Sequence, residues 1–86
     1  MPEISRFYGI IIRMYFNDHN PPHFHAEYQG EQAEYNIKTL EIIVGNISNR
    51  ANALILEWAS LHREELLSNW EKAKIPAKID KIKPLQ

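Results

Sequence analysis

Three of the four histidines of the chain lie within the nine residues Asn17–His25, whose sequence is NDHNPPHFH. Imidazole titrates near neutral pH and is also a common metal ligand, so such a group can supply an acid–base pair or a ligand set. The residues between the histidines favour a turn, because Asn and Asp bond nearby backbone groups and consecutive prolines cannot continue a strand ladder. We therefore expect the chemistry at a loop and at the start of the strand that follows it.

The segments on both sides of this loop alternate between apolar and polar residues, which is typical of β-strands. We predict a lead-in at residues 2–8, strands at 9–16, 23–28, 33–38 and 41–44, and a hairpin turn at residues 29–31. The period of two assigns to the core Ile10, Ile12, Met14, Phe16, Phe24, Ala26, Tyr28, Tyr35 and Ile37. It assigns to the opposite, uncovered face Arg13, Tyr15, His23, His25, Glu27, Glu34 and Asn36.

From about Ser48 the apolar residues recur in steps of three and four, which predicts one amphipathic helix of about seven turns. Its apolar stripe would consist of Ala51, Leu54, Ile55, Trp58, Leu61, His62, Leu66, Trp70 and Ala73. Asn46 or Ser48 would cap the start of the helix, and Pro76 would follow its end. Residues 77–86, which include three lysines, are expected to form a basic arm that docks on the body or on a second subunit.

These elements predict an α+β fold in which a small curled antiparallel sheet of three or four strands packs against one long helix. We expect a single domain over residues 1–86, with a β-rich part at 1–46, the helix at 47–75 and the basic tail at 76–86. A chain of 86 residues without cysteine has little stability to spare, so a homo-oligomer is expected. No apolar segment is long enough to span a membrane, and the composition fits a cytoplasmic protein.

One interpretation of the histidines is a metal site formed by His19, His23 and His25. His23 and His25 would project from the same side of a strand, and His19 could fold over them from the loop. Asp18 or Glu27 would be a fourth ligand or would orient an imidazole ring. Three histidines with one open position form the pattern of a catalytic zinc site, so zinc is the divalent metal we expect.

A second interpretation is metal-free acid–base chemistry on RNA, with His23 and His25 as the acid–base pair. Arg13 would bind the phosphate, and Tyr15 could stack on a base. The formal net charge of −1 gives no overall attraction to nucleic acid, although a local patch could provide it.

The histidines could also be purely structural, with His23 closing a turn and His25 paired with a carboxylate of a neighbouring strand. His62 lies on the apolar stripe of the helix, one turn after Trp58, and is expected to be a core or interface residue. For the same reason we expect Trp58 and Trp70 to anchor the core or a dimer rather than to stack on bases.

The string RFYGIIIRMYFNDHNPPHFHAEYQG, the helical LEWASLHREELLSNWEKA and the closing KIKPL together resemble the bacterial family called domain of unknown function 4160. The residues that match the pattern of this family are Asp18, His19, Pro22, His23, His25, Glu57, Trp58, His62, Arg63, Glu64, Asn69 and Trp70. Residues 31–33 and 39–43 match it only loosely. The resemblance brings no active site with it. It implies a small stand-alone protein, often encoded beside another small protein in what has been proposed to be a toxin–antitoxin module.

The leading hypothesis is therefore a component of a toxin–antitoxin-type pair that binds or cleaves RNA through His23, His25, Arg13 and Tyr15, with Asp18 and His19 supporting the loop. The alternatives are the metal-binding protein and a non-catalytic module that binds a partner through its helix stripe and tail.

Overall fold

The computed structural model describes residues 3–75 and 78–86. The predictions made for Pro2, Pro76 and Ala77 therefore fall outside the described residues. The elements in chain order are β1 (Glu3–Phe7), β2 (Ile10–Arg13), β3 (His23–Tyr28), β4 (Glu31–Asn36), β5 (Ile42–Asn46), α1 (Asn49–Leu61) and α2 (Arg63–Lys74). The α+β class is confirmed.

The five strands form one open antiparallel sheet in the order β1-β2-β3-β4-β5. The predicted hairpin is confirmed, but its turn consists of Gln29 and Gly30 alone, both with positive φ, and β4 spans Glu31–Asn36 rather than the predicted 33–38. This is the turn geometry that suits the twist of a hairpin. The register then places Arg13 beside His25, and His25 beside Glu34.

The prediction of three or four strands was wrong, because the lead-in contains β1, which pairs with β2. The strand predicted at residues 9–16 is shorter, since the ladder ends at Arg13. Met14 is still buried, but Phe16 is 45 % exposed and is not a core residue. The alternation ends there because Asn17 has a positive φ and its N–H donates to the carbonyl of Ala73 in α2 (3.1 Å).

The strand predicted at residues 41–44 is β5, which continues through Gly45 and Asn46 and has all its residues exposed. A bulge interrupts its pairing with β4 between Glu34 and Tyr35. Gly45 has a φ of 90°, and a Cβ at this position would collide with the backbone of Gln32. Glycine therefore lets the last strand approach β4 closely.

The prediction of a single long helix was also wrong in detail, because His62 divides this segment into α1 and α2. The N–H of His62 bonds the carbonyl of Ala59 three residues earlier, which tightens the last turn of α1. Leu61, predicted on the apolar stripe, is 69 % exposed because it lies at this break. Ser48 is the N-cap, as one of the two predicted candidates, and accepts the N–H of Ala51.

The helices and the covered face of the sheet share one apolar core. Its largest fully buried side chains include Trp58, Trp70, Tyr35, Phe24, Ile10, Ile12 and Met14. Burial raises the pKa of Tyr35 to about 12, so its hydroxyl stays protonated and donates to Asn52 Oδ1 (2.6 Å). Within residues 3–75 and 78–86, no helix combines the length and apolar character needed to cross a membrane.

The tail docks on the body. Ile82 is buried, and its N–H donates to the carbonyl of Ile4 in β1 (2.8 Å). Asn69 of α2 holds the backbone of Asp80 through two hydrogen bonds, and Trp58 Nε1 donates to the carbonyl of Lys83 (2.9 Å). These contacts extend the core past the end of the helices.

Candidate functional site

The loop between β2 and β3 brings Asp18 back over the start of β3. The N–H of His19 donates to Asp18 Oδ1 (2.9 Å), so this oxygen is occupied by the turn itself and Oδ2 faces the histidines. The bond from Asn17 to α2 fixes the other end of the same turn. The Asn20–Pro21 peptide bond is cis. The residue types predict the turn from the sequence. The contact with α2 that positions Asp18 joins distant segments, so the sequence does not predict it.

Three side chains converge on one point, and we call Asp18, His23 and His25 the Asp–His–His cluster. Asp18 Oδ2 lies 2.9 Å from His23 Nε2 and 3.3 Å from His25 Nε2. One ligand atom from each residue lies within 4.8 Å of the other two. Two imidazoles therefore share a single carboxylate oxygen.

The partner of His23 Nδ1 determines whether Nε2, on the other side of the ring, carries a proton or a lone pair. His23 Nδ1 lies 2.7 Å from the carbonyl of Pro21, and because a carbonyl only accepts, Nδ1 carries the proton. In the neutral imidazole, Nε2 then presents a lone pair to Asp18 Oδ2, which also only accepts. A second proton or a cation between these two atoms makes the contact favourable.

The Asp18 carboxyl is held in its charged form despite partial burial. Burial raises its pKa, but hydrogen bonds from His25 and the His19 N–H, together with nearby His23, lower the pKa more, so it lies below its ordinary value. An ionised carboxylate is therefore available to a cation at neutral pH.

The surroundings of the cluster restrict His23 more than His25. His23 is 2 % exposed, and its ring lies 5.1 Å from the ring of Trp70 between centroids. The carboxylate of Glu34 in β4 approaches His23 Nε2 to 3.6 Å. His25 is partly exposed and opens towards the uncovered face of the sheet. The cluster thus has a closed side formed by the loop and α2 and an open side formed by the sheet.

The uncovered face beside the cluster contains a pocket of about 280 Å³. Its lining includes Arg13, Tyr15, His25, Glu27, Glu34 and Val44. The ring of Tyr15 meets that of His25 edge-on at 4.4 Å, and Arg13 Nη1 donates to Glu27 Oε1 (2.6 Å). Most of the polar face expected from the alternation therefore lines one concave surface, and His25 joins it to the cluster.

Three other predicted residues lie elsewhere. The side chain of His19 is 88 % exposed, and its Nδ1 lies 3.2 Å from Asp18 Oδ1 rather than among the converging atoms. Asn36 accepts the N–H groups of Lys38 and Thr39 and closes the turn after β4. His62 bonds Glu65 at the helix break and contacts the ring of Trp58, which is a structural position.

Asp18 is more central than predicted, because the sequence offered it only as support for the loop or, as an alternative to Glu27, as a fourth ligand or a group that orients a ring. It lies next to His19, and five residues before His23, in the NDHNPPHFH stretch. Its sequence signals were its place in a histidine-rich turn and its match to the family pattern, and only the fold shows that its carboxylate reaches His23 and His25.

The geometry of the cluster fits a small metal ion. Zinc bonds of ~2.0–2.2 Å in a tetrahedral arrangement place neighbouring ligand atoms about 3.4 Å apart. The two separations from Asp18 Oδ2, 2.9 and 3.3 Å, are close to that value. Histidines that bind metals usually donate their other ring N–H to a carbonyl or carboxylate, as His23 does to Pro21.

Comparison with known families gives one match. The family model described as domain of unknown function (DUF4160) matches residues 9–71. The chain belongs to this family. The matched region contains the whole cluster and the residues that line the pocket, and this confirms the resemblance seen in the sequence. No curated protein and no solved structure matches the chain.

Proposed function

We propose that the Asp–His–His cluster binds one divalent transition metal ion, with zinc the expected ion, and that the protein uses it to hydrolyse RNA. The observation that carries the proposal is the convergence of His23 Nε2 and His25 Nε2 on Asp18 Oδ2, with the His23 proton fixed on the opposite nitrogen. Two imidazoles and a carboxylate leave a fourth position for water or for Glu34. A zinc ion with an open position activates water at neutral pH.

Charge also favours a cation at this position. Asp18 and Glu34 both approach His23, whereas Arg13, a cation that lines the pocket, is paired with Glu27 through Nη1. A phosphate would meet these carboxylates unless a cation lay between them. A metal ion therefore supports phosphate binding that the protein residues alone would oppose.

In the proposed hydrolysis, a water oxygen forms a bond to phosphorus and the bond to one ribose oxygen breaks. One water proton goes to the leaving oxygen, and the other stays with the new phosphate group or is released. His25 is the partly exposed member of the cluster that borders the pocket, so it is positioned to bind the metal and to contact the substrate side. Such cleavage would suit one member of a toxin–antitoxin-type pair, restrained by a small protein encoded beside it.

A second candidate is metal-free RNA chemistry, and the pocket that combines Arg13, Tyr15 and His25 favours it. Here His25 would move the proton and Arg13 would bind the phosphate. The partner base is less apparent, because His23 is buried beneath Trp70 and does not line the pocket. This burial suits a ligand better than a group that must reach RNA.

Metal content measured by elemental mass spectrometry on tag-free protein, after zinc loading and dialysis, tests the proposal. We expect one zinc per wild-type chain and none in the His23→Ala/His25→Ala double variant or in Asp18→Asn. His62→Ala is the control and should keep its zinc. Circular dichroism confirms that each variant is folded. An RNA cleavage assay with and without chelator then separates the two candidates, because only metal-dependent cleavage stops when zinc is removed.

A wild-type protein that contains no zinc after loading would contradict the metal site. RNA cleavage that persists unchanged in chelator would support the second candidate instead.

A further inference from the structure

The pocket beside the cluster is lined by side chains from four strands and from the residues just after β2. Arg13 lies in β2, Glu34 in β4 and Val44 in β5, while Tyr15 follows β2 and meets His25 of β3. Its volume of about 280 Å³ is slightly below the range of pockets that hold drug-sized molecules. The pocket therefore fits one small unit of a larger ligand rather than a folded surface.

Arg13 has hydrogen-bonding capacity to spare. Its pairing with Glu27 uses Nη1 alone, and in the part of the chain that the structure describes no acceptor bonds its Nε or Nη2. Arg6 of β1 differs, because it binds Glu3 through both Nε and Nη2. Two parallel N–H groups of a guanidinium match the oxygens of a phosphate. One side of the pocket is thus suited to an anion with two oxygen atoms.

The remaining lining calls for a flat group that also donates hydrogen bonds. The Tyr15 ring and the apolar Val44 suit an aromatic surface, whereas Gln32 and Glu34 offer acceptors. A nucleotide has a phosphate, a planar base and amino or hydroxyl donors within one small unit. Single-stranded RNA exposes these groups together, and proteins commonly stack its bases on aromatic side chains.

We propose that this pocket binds one nucleotide of single-stranded RNA, with its phosphate between Arg13 and the metal ion and its base against Tyr15. The inference rests on the proposed metal function, because the carboxylates that line the pocket oppose an anion unless the metal is bound. It names the unit of substrate that the cluster would act on. Glu34 lines the pocket and also approaches His23, so the two sites are contiguous.

Isothermal titration calorimetry on the full zinc-loaded chain tests the inference, with adenosine 5′-monophosphate and inorganic phosphate as the two probes. We expect the nucleotide to bind at least roughly tenfold more tightly than phosphate, since stacking on an aromatic ring adds to the phosphate contacts. Arg13→Gln should weaken nucleotide binding roughly tenfold or more, as expected for a lost charge-assisted contact. Arg6→Gln is the matched control and should bind like wild type.

Tyr15 provides a second, independent variant series. Tyr15→Leu should remove most of the preference for nucleotide over phosphate, whereas Tyr15→Phe, which keeps the ring, should retain it. Nucleotide that binds no more tightly than phosphate, or equal effects of Arg13→Gln and Arg6→Gln, would overturn the pocket while leaving the metal site in place. Nucleotide binding that is equally tight, and equally dependent on Arg13, in a protein without metal would overturn the placement of the phosphate between Arg13 and the metal and would favour the metal-free candidate.

Discussion

Two short histidine–carboxylate contacts lie in very different parts of this molecule. His62 Nδ1 is 2.6 Å from Glu65 Oε1 at the helix break, and His23 Nε2 is 2.9 Å from Asp18 Oδ2 at the sheet. The first is a local pair three residues apart on a helix, and its carboxylate is 54 % exposed. The second includes another histidine on the same oxygen, a buried ring and a far nitrogen held by Pro21.

Contact length alone therefore does not indicate a site. The His62 pair is complete with one proton between its two atoms, because Glu65 accepts what Nδ1 donates. The Asp–His–His cluster has more lone pairs than protons when its histidines are neutral. What distinguishes it is that shortage, together with the burial of the His23 ring, which limits the water that could relieve it.

The largest expected difference between the two regions is their response to zinc. A ligand at 100 times its dissociation constant stabilises the folded state by about 2.7 kcal/mol, which in a domain of this size raises Tm by roughly 10–20 °C. We expect this shift in wild type and in Glu65→Gln, and its loss in Asp18→Asn. Differential scanning calorimetry measures it, and an equal shift in Asp18→Asn would show that zinc binds elsewhere.

A smaller difference concerns the tryptophans that contact these two histidines, Trp58 beside His62 and Trp70 beside His23. Trp58 Nε1 donates to the tail at Lys83, while Trp70 Nε1 is buried with no protein acceptor among residues 3–75 and 78–86. Both Trp→Phe changes lose volume, but only Trp58→Phe loses a hydrogen bond. We expect Trp58→Phe to lower the free energy of unfolding by about 1 kcal/mol more than Trp70→Phe. Urea denaturation measures both, and a larger loss for Trp70→Phe would contradict a stabilising hydrogen bond from Trp58 to the tail.

The smallest effect is expected in protein from which metal has been removed. Asp18→Asn gives an amide that can donate to His23 Nε2 but no longer accepts from His25 Nε2. One hydrogen bond is gained and one is lost, so this change should alter the free energy of unfolding of the metal-free protein by less than about 0.5 kcal/mol. Glu65→Gln is exposed and should change stability by less than about 0.5 kcal/mol. Urea denaturation in chelator that shows Asp18→Asn to lose more than about 1 kcal/mol would argue against a lone pair of His23 facing the carboxylate.

The sequence was sufficient for the parts of the fold that follow local periodicity. Alternation was wrong for His23, which was expected on the uncovered face but is buried beside Trp70 of α2. Elsewhere it identified the buried faces of β2, β3 and β4, and residues 29–31 identified the hairpin between β3 and β4. It therefore placed Arg13, His25 and Glu34 on one face, because strand pairing fixes which side chains are neighbours.

The sequence was insufficient where a contact between distant segments decides the structure. β1 gave no strong pattern, since Ser5 and Arg6 interrupt its apolar residues, and it is recognised only by its pairing with β2. The helix break at His62 could not be predicted from the sequence, because no proline or glycine lies near it. The position of Asp18 depends on the bond between Asn17 and Ala73. The sequence therefore suggested three histidines with Asp18 as one of two optional fourth ligands, where the fold assembles two histidines and Asp18.

Anomalous scattering from zinc in crystals of the zinc-loaded protein would locate the metal directly. We expect one strong peak about 2.0–2.2 Å from Asp18 Oδ2, His23 Nε2 and His25 Nε2. Zinc bound at His62 and Glu65 or at His19, with none among those three atoms, would contradict the metal site at the Asp–His–His cluster.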